Sequence, residues 1–250
     1  MTQFSVCVEM VYDNDPFVER IHRAADAGAD AIEFWDWRQK DLNAIEAAAN
    51  EAGIPIVGCT AGGVLTDPNA ADTAVETIRE SIVTATDLGC PTLIVTTGPD
   101  QEGMDRETQH ENIVTVLSRV APDAEEAGVT LVVEPLNTLI DHPKYYLRTA
   151  SEGFEIVNEV GSANVRLLYD VYHQQVTEGN IIATITENVE KIGHIHIADV
   201  PGRHEPGTGE LNWNNVLEAI DATSYDGYVG CEFSPTGDPD EAMTAVMDRN

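Results

Sequence analysis

Positive charge is scarce in this chain. Only 13 lysines and arginines stand against 44 aspartates and glutamates in 250 residues, and lysine occurs just at Lys40, Lys144 and Lys191. The formal charge of -31 repels polyanions over most of the surface, which argues against nucleic acid and anionic membranes as partners. Concentrated salt would screen the self-repulsion, so a salt-rich cytoplasm is the expected habitat. Closely spaced cysteines are missing too. Cys7, Cys59, Cys90 and Cys231 lie far apart in apolar runs and match no zinc or redox spacing, so they read as reduced, buried thiols. The opening MTQFSVCVEM has no basic start leading into an apolar run, and no apolar stretch approaches the length of a membrane span. No Gly/Ser-rich linker divides the sequence, and 42% hydrophobic content supplies one large core, so residues 1–250 are expected to form a single domain.

What is present is a repeat. An Ala-rich amphipathic stretch ends at a glycine and a β-rich run begins within a few residues, most clearly in AADAGADAIEF, AANEAGIPIVGC, ATDLGCPTLIV and AEEAGVTLVVE. Weaker copies in NEVGSANVRLLYD, VEKIGHIHIAD and SYDGYVGCE complete the series of marking glycines: Gly28, Gly53, Gly89, Gly128, Gly161, Gly193 and Gly227. Each is expected where a helix stops, because a residue with positive φ often follows the last helical turn. With the opening run from Phe4 to Val8, eight strands alternate with helices. That count predicts the α/β class and a closed (β/α)₈ TIM barrel, the alternative being a doubly wound open sheet. Long loops follow the fourth strand from Gly98, the fifth from Pro135 and the seventh from Val200, at the end where such barrels build their sites.

Four strands of the second half end on groups able to bind a hard metal ion: Glu134 in VTLVVE, Asp170 in VRLLYD, His196 in HIHIAD and Glu232 in YVGCE. Singly, an acidic residue at a strand end is most simply a turn residue or helix cap. Strand alternation groups Glu134 with Val132, Asp170 with Leu168, His196 with His194 and Glu232 with Gly230. If those faces point inward, three carboxylates and an imidazole converge, and a divalent cation, Mn²⁺ or Mg²⁺, makes the crowding tolerable. His194, deeper in the barrel, reads as a supporting group. Asn137, His173 and Arg203 lie just past these strands. Arg203, a rare cation in PGRHEPGTGELNW, either holds an anion or hydroxyl of a substrate or pairs with Glu205 or Glu210. The glycines and proline of that loop suit a closing lid or an ordinary turn. Trp35 and Trp37 suit the mouth, the core or an interface of a homo-oligomer.

The segments VVEPLN, YDVYHQQ, GHIHIADVPGRHEPGTGELNW and YVGCEF resemble the xylose isomerase-like TIM barrels, and within them the hydroxypyruvate isomerase group, over nearly the whole chain. The resemblance implies a metal-dependent isomerase of a small hydroxy-carbonyl compound. In it Glu134, Asp170, His196 and Glu232 would be the metal ligands, Glu134 and Glu232 also the acid/base pair, and His173, Arg203 and Asn137 substrate-binding residues. Many hydroxypyruvate isomerases carry glutamine where this chain has His196. Histidine there is similar to the sugar epimerases, so ketose 3-epimerisation stands as the alternative chemistry. A metal-dependent DNA-repair endonuclease and a non-catalytic binding barrel are the remaining readings.

Overall fold

The computed structural model describes residues 2–249. Its eight strands are β1 (Gln3–Cys7), β2 (Ala31–Asp36), β3 (Ile56–Thr60), β4 (Thr92–Val95), β5 (Thr130–Val133), β6 (Val165–Asp170), β7 (Ile192–Ile197) and β8 (Tyr228–Cys231). All neighbours pair in parallel, and β1 pairs with β8, so the sheet closes on itself and the open-sheet alternative falls away. β4 and β5 are short, rich in β-branched residues and buried on both faces, as strands must be between a packed interior and a helical coat. Apolar stripes of the outer helices seal the barrel: Val75, Ile78 and Ile82 of the helix Ala71–Asp87 and Ile113, Val116, Leu117 and Val120 of Arg106–Ala127 are all buried. Asp41, Asp105 and Thr149 cap the N-termini of three such helices by accepting backbone N–H groups.

The repeat's punctuation holds at five of its seven glycines. Gly28, Gly53, Gly89, Gly128 and Gly161 all have positive φ just past a helix. Gly193 and Gly227 serve differently. Gly193 lies inside β7, where a Cβ would come within 2.8 Å of Val132 and 2.9 Å of Arg166, so it is there to let neighbouring strands pack. Gly227, next to β8, leaves room for the Tyr225 ring.

Ile94, Val132 and Leu168, from three adjacent strands, form an apolar cluster separate from the main core. Val132 and Leu168 are the residues two before Glu134 and Asp170, so strand alternation turns both carboxylates to the same inner face. His194 pairs with Leu168 and His196 with both Asp170 and Gly230 in the strand register, which brings the charged ends together at one rim.

Candidate active site

The four expected ligands meet. One donor atom from each of Glu134, Asp170, His196 and Glu232 lies within 4.8 Å of all the others, and all four residues are buried. Glu134 and Glu232 directly follow β5 and β8, and their backbone N–H groups still donate to Val95 and Ile197, so the ladder fixes where both side chains start. Asp170 divides its carboxylate between two tasks. Oδ1 accepts the N–H groups of Tyr172, at 2.7 Å, and His173, at 3.1 Å, capping the short helix Val171–Thr177. Oδ2 is left to face the centre. The Nδ1 of His196 lies 3.3 Å from Glu232 and 3.8 Å from Glu134.

Burial raises the energy of each ionised carboxylate, and the protein treats them unequally. Burial, reinforced by the charges of Glu232 and Asp170, pushes the carboxyl of Glu134 up to about 7. Burial acts on Glu232 in the same sense, but the His196 imidazole and Arg203 outweigh it and hold the group well below the usual carboxylate range. Burial disfavours a charged His196, yet Glu33 and Glu232 raise it well above its ordinary range, so the ring is charged until a cation takes its proton's place. Arg203 Nη2 is 2.5 Å from Glu232 and 3.9 Å from Asp170, and the guanidinium stacks 5.3 Å from the Tyr172 ring centre. It pairs with neither Glu205 nor Glu210. Trp35 donates its indole N–H to the other Glu232 oxygen at 3.0 Å, which places this tryptophan at the mouth, while Trp37 packs against the core and donates to Ser81.

The centre fits a cation on its own chemistry. Oε1 of Glu134 and Nδ1 of His196 are buried without any hydrogen-bond partner, a cost that a cation held between them, in place of the imidazole's second hydrogen, would remove. Three oxygen donors and one nitrogen suit a hard or borderline divalent ion. Two further donors are unpartnered at the same place, Nε of Arg203 and Nε2 of His173. They border a cavity whose walls include Trp35, Thr60, Thr96 and His142.

Asn137 stands apart from that cavity. It is fully buried behind His173, where its amide donates to Asp141 at 2.6 Å and lies 2.7 Å from His173 Nδ1. Its backbone N–H also points at Nδ1, so that nitrogen accepts and the hydrogen sits on Nε2, facing the cavity. Burial lowers His173 to about 4, which keeps the ring neutral. His142, which sequence reasoning passed over, packs edge-on against His173 and closes one wall.

Asp199 was passed over as well. Its buried carboxylate accepts the N–H groups of Val200, Gly207, Gly209 and Leu211. Glu205 meanwhile accepts the N–H and hydroxyl of Thr236 in the loop after β8. The EPGTGE run is thus a knot that presents Arg203, itself at φ +58°, over the carboxylates. A Cβ at Gly209 would collide with the carbonyl of Val200, so glycine is required there.

Residues 21–248 match the family model of the xylose isomerase-like TIM barrel. Hydroxypyruvate isomerase of Escherichia coli is 30% identical, covering 94% of each chain, and 2-oxo-tetronate isomerase of Cupriavidus necator is 32% identical over the same shares. Among solved structures, a protein from Brucella melitensis described as an AP endonuclease of family 2 superposes with a TM-score of 0.95 at 27% identity, covering 99% of both chains. A D-psicose 3-epimerase from Clostridium cellulolyticum shares the fold, with a TM-score of 0.84 at 22% identity. On the match of its sequence to the family model, with a closed eight-stranded parallel barrel beneath it, the chain belongs to the xylose isomerase-like TIM barrel family.

Proposed function

We propose that the chain is a divalent-metal-dependent isomerase of a short 2-oxo hydroxy acid, hydroxypyruvate first among the candidates. The observation that carries the reading is the meeting of Glu134 and Glu232, in opposite electrostatic surroundings, in a buried donor set where Glu134 Oε1 and His196 Nδ1 have no hydrogen-bond partner. A Mn²⁺ or Mg²⁺ ion held by Glu134, Asp170, His196 and Glu232 would supply charge neutralisation and polarise a substrate carbonyl. The protein's own residues do the rest. One glutamate removes the hydrogen from the hydroxyl-bearing carbon beside the carbonyl, giving an enediolate. The hydroxyl hydrogen passes to the former carbonyl oxygen, and the other glutamate returns a proton to that oxygen's carbon, so that ketone and aldehyde exchange places. Two carboxylates whose surroundings push their proton affinities apart suit that division of labour. His173 offers its Nε2–H to an oxygen of the intermediate, and Asn137 holds the ring in that tautomer instead of touching substrate itself. Arg203, with its free Nε–H, is placed for the substrate's carboxylate.

Epimerisation of a neutral ketose uses the same pair of glutamates, and His196 together with the epimerase folds favours it as the second reading. The unpaired donor of Arg203 favours an acid over a neutral sugar. The endonuclease description of the Brucella structure gives a third, against which the surface charge stands. Turnover of hydroxypyruvate, 2-oxo-tetronate and a panel of ketoses, with and without Mn²⁺ in concentrated KCl, separates the first two. Turnover of ketoses alone, or cleavage of abasic DNA, would overturn the proposal. On its charge alone we also propose a salt-rich cytoplasm as its habitat.

A further inference from the structure

We propose that Glu33 is a positioning residue for this centre, holding the Nε2–H of His196 from inside the barrel so that the bare Nδ1 faces Glu134, Asp170 and Glu232. This role rests on the metal reading above. Glu33 occupies the middle of β2 and is 1% exposed. Its Oε2 lies 2.9 Å from His196 Nε2 and 3.1 Å from His194 Nε2, while Oε1 accepts the Ser5 hydroxyl at 2.7 Å. An ionised carboxylate only accepts hydrogen bonds, so the nitrogen it touches on His196 carries the hydrogen. The neutral imidazole that binds a cation has one such hydrogen. Nδ1, the nitrogen that faces the centre, is therefore left with its lone pair free, which is the form a cation needs.

The barrel gives up ordinary interior packing to house this carboxylate. The two strands that flank Glu33 and His196 carry glycines opposite them. A Cβ at Gly230 of β8 would collide with both Glu33 and His196, and one at Gly58 of β3 would sit 3.0 Å from Glu33. Ser5, Glu33, His194 and His196 thus form a polar layer where aliphatic side chains usually fill a barrel. A carboxylate at that depth is costly unless each oxygen is bonded, and each one is. The layer also explains His194, which does not reach the cavity but donates to the same carboxylate from deeper in β7.

Calorimetric titration of the full chain with Mn²⁺ tests the role, comparing wild type with Glu33→Gln and recording the metal-free melting temperature of both. The amide keeps the volume but no longer offers two accepting oxygens to two imidazoles. Mn²⁺ affinity is expected to fall roughly 10- to 100-fold. Equal affinity in the two proteins, with only the melting temperature lowered, would reduce Glu33 to a packing residue. Wild-type protein that takes up no Mn²⁺ would overturn the metal reading and this role with it. Two ions per wild-type chain, one lost in Glu33→Gln, would make Glu33 a ligand and overturn the positioning role alone. Should Glu33→Gln fail to fold, the wild type decides: with Mg²⁺ bound, imidazole ¹⁵N spectra must show His196 protonated on Nε2, and protonation on Nδ1 refutes the proposal.

Discussion

The chain carries carboxylates in two settings, and the same group behaves oppositely in them. Over the outside, residues such as Glu46 and Glu126 stand in water, where counterions dilute their mutual repulsion and removing any single one changes little. At the barrel mouth, Glu134, Asp170 and Glu232 are 6%, 2% and 6% exposed, so solvent does not separate their charges. There the repulsion is answered by Arg203, His196 and the cation we propose. Charge number is therefore a poor guide to function in this protein, and burial of charge a good one.

Several measurements would break or sharpen that contrast. The largest effect is expected on turnover: Glu134→Gln or Glu232→Gln should lower kcat for hydroxypyruvate by about 10²- to 10⁴-fold. Glu46→Gln and Glu126→Gln should leave it within about twofold, and a comparable loss in these would erase the distinction. Metal affinity comes next. With the Glu134 carboxyl at about 7 in the cation-free protein, Mn²⁺ must displace a proton at lower pH. Because His196 must give up a proton as well, affinity measured by calorimetry should fall by about tenfold or more per unit between pH 7 and pH 5.5. Ions held by surface carboxylates would show no such fall until pH nears about 4, where exposed acids titrate. Salt should act the other way round: raising KCl from about 0.1 to 1 M shortens the screening length from about 10 to 3 Å and should raise the melting temperature by several degrees, with Mn²⁺ stoichiometry unchanged. The smallest effect belongs to the rim. Trp35→Phe removes one hydrogen bond to Glu232, worth roughly 1 kcal/mol, and should lower kcat about fivefold with the fold intact by circular dichroism.

Much of the barrel is legible from the repeat because each unit couples a helix stop to a β-rich run, and eight such runs leave little but a closed cylinder. The proposed metal ligands are legible for a related reason. Glu134, Asp170 and Glu232 come at the ends of apolar runs, where a charged side chain has to face the rim or a turn. Asp199 ends a run in the same way, yet it is the turn residue the simpler reading predicts, and only the positions of the Gly207 and Gly209 N–H groups distinguish the two cases. Glu33 gives no terminal signal, since it lies inside the run AIEFWD and not at its end. Its trace in the sequence is indirect, in Gly58 on the next strand and Gly230 on β8, and bringing Gly230 to Glu33 takes the barrel's closure. Asn137 shows the same limit: proximity to Glu134 in sequence suits substrate contact, whereas the fold puts His173 between Asn137 and the cavity.

The knot around Asp199 bears on how tightly small ligands can be held. A loop that orders only when substrate arrives charges its lost freedom against binding, on the order of 1 kcal/mol for each residue that stiffens. Here four peptide N–H groups and a threonine have already fastened the segment that carries Arg203. A molecule of three or four carbons has few atoms with which to offset such a cost, and a guanidinium waiting in place lets nearly every contact it makes count toward affinity.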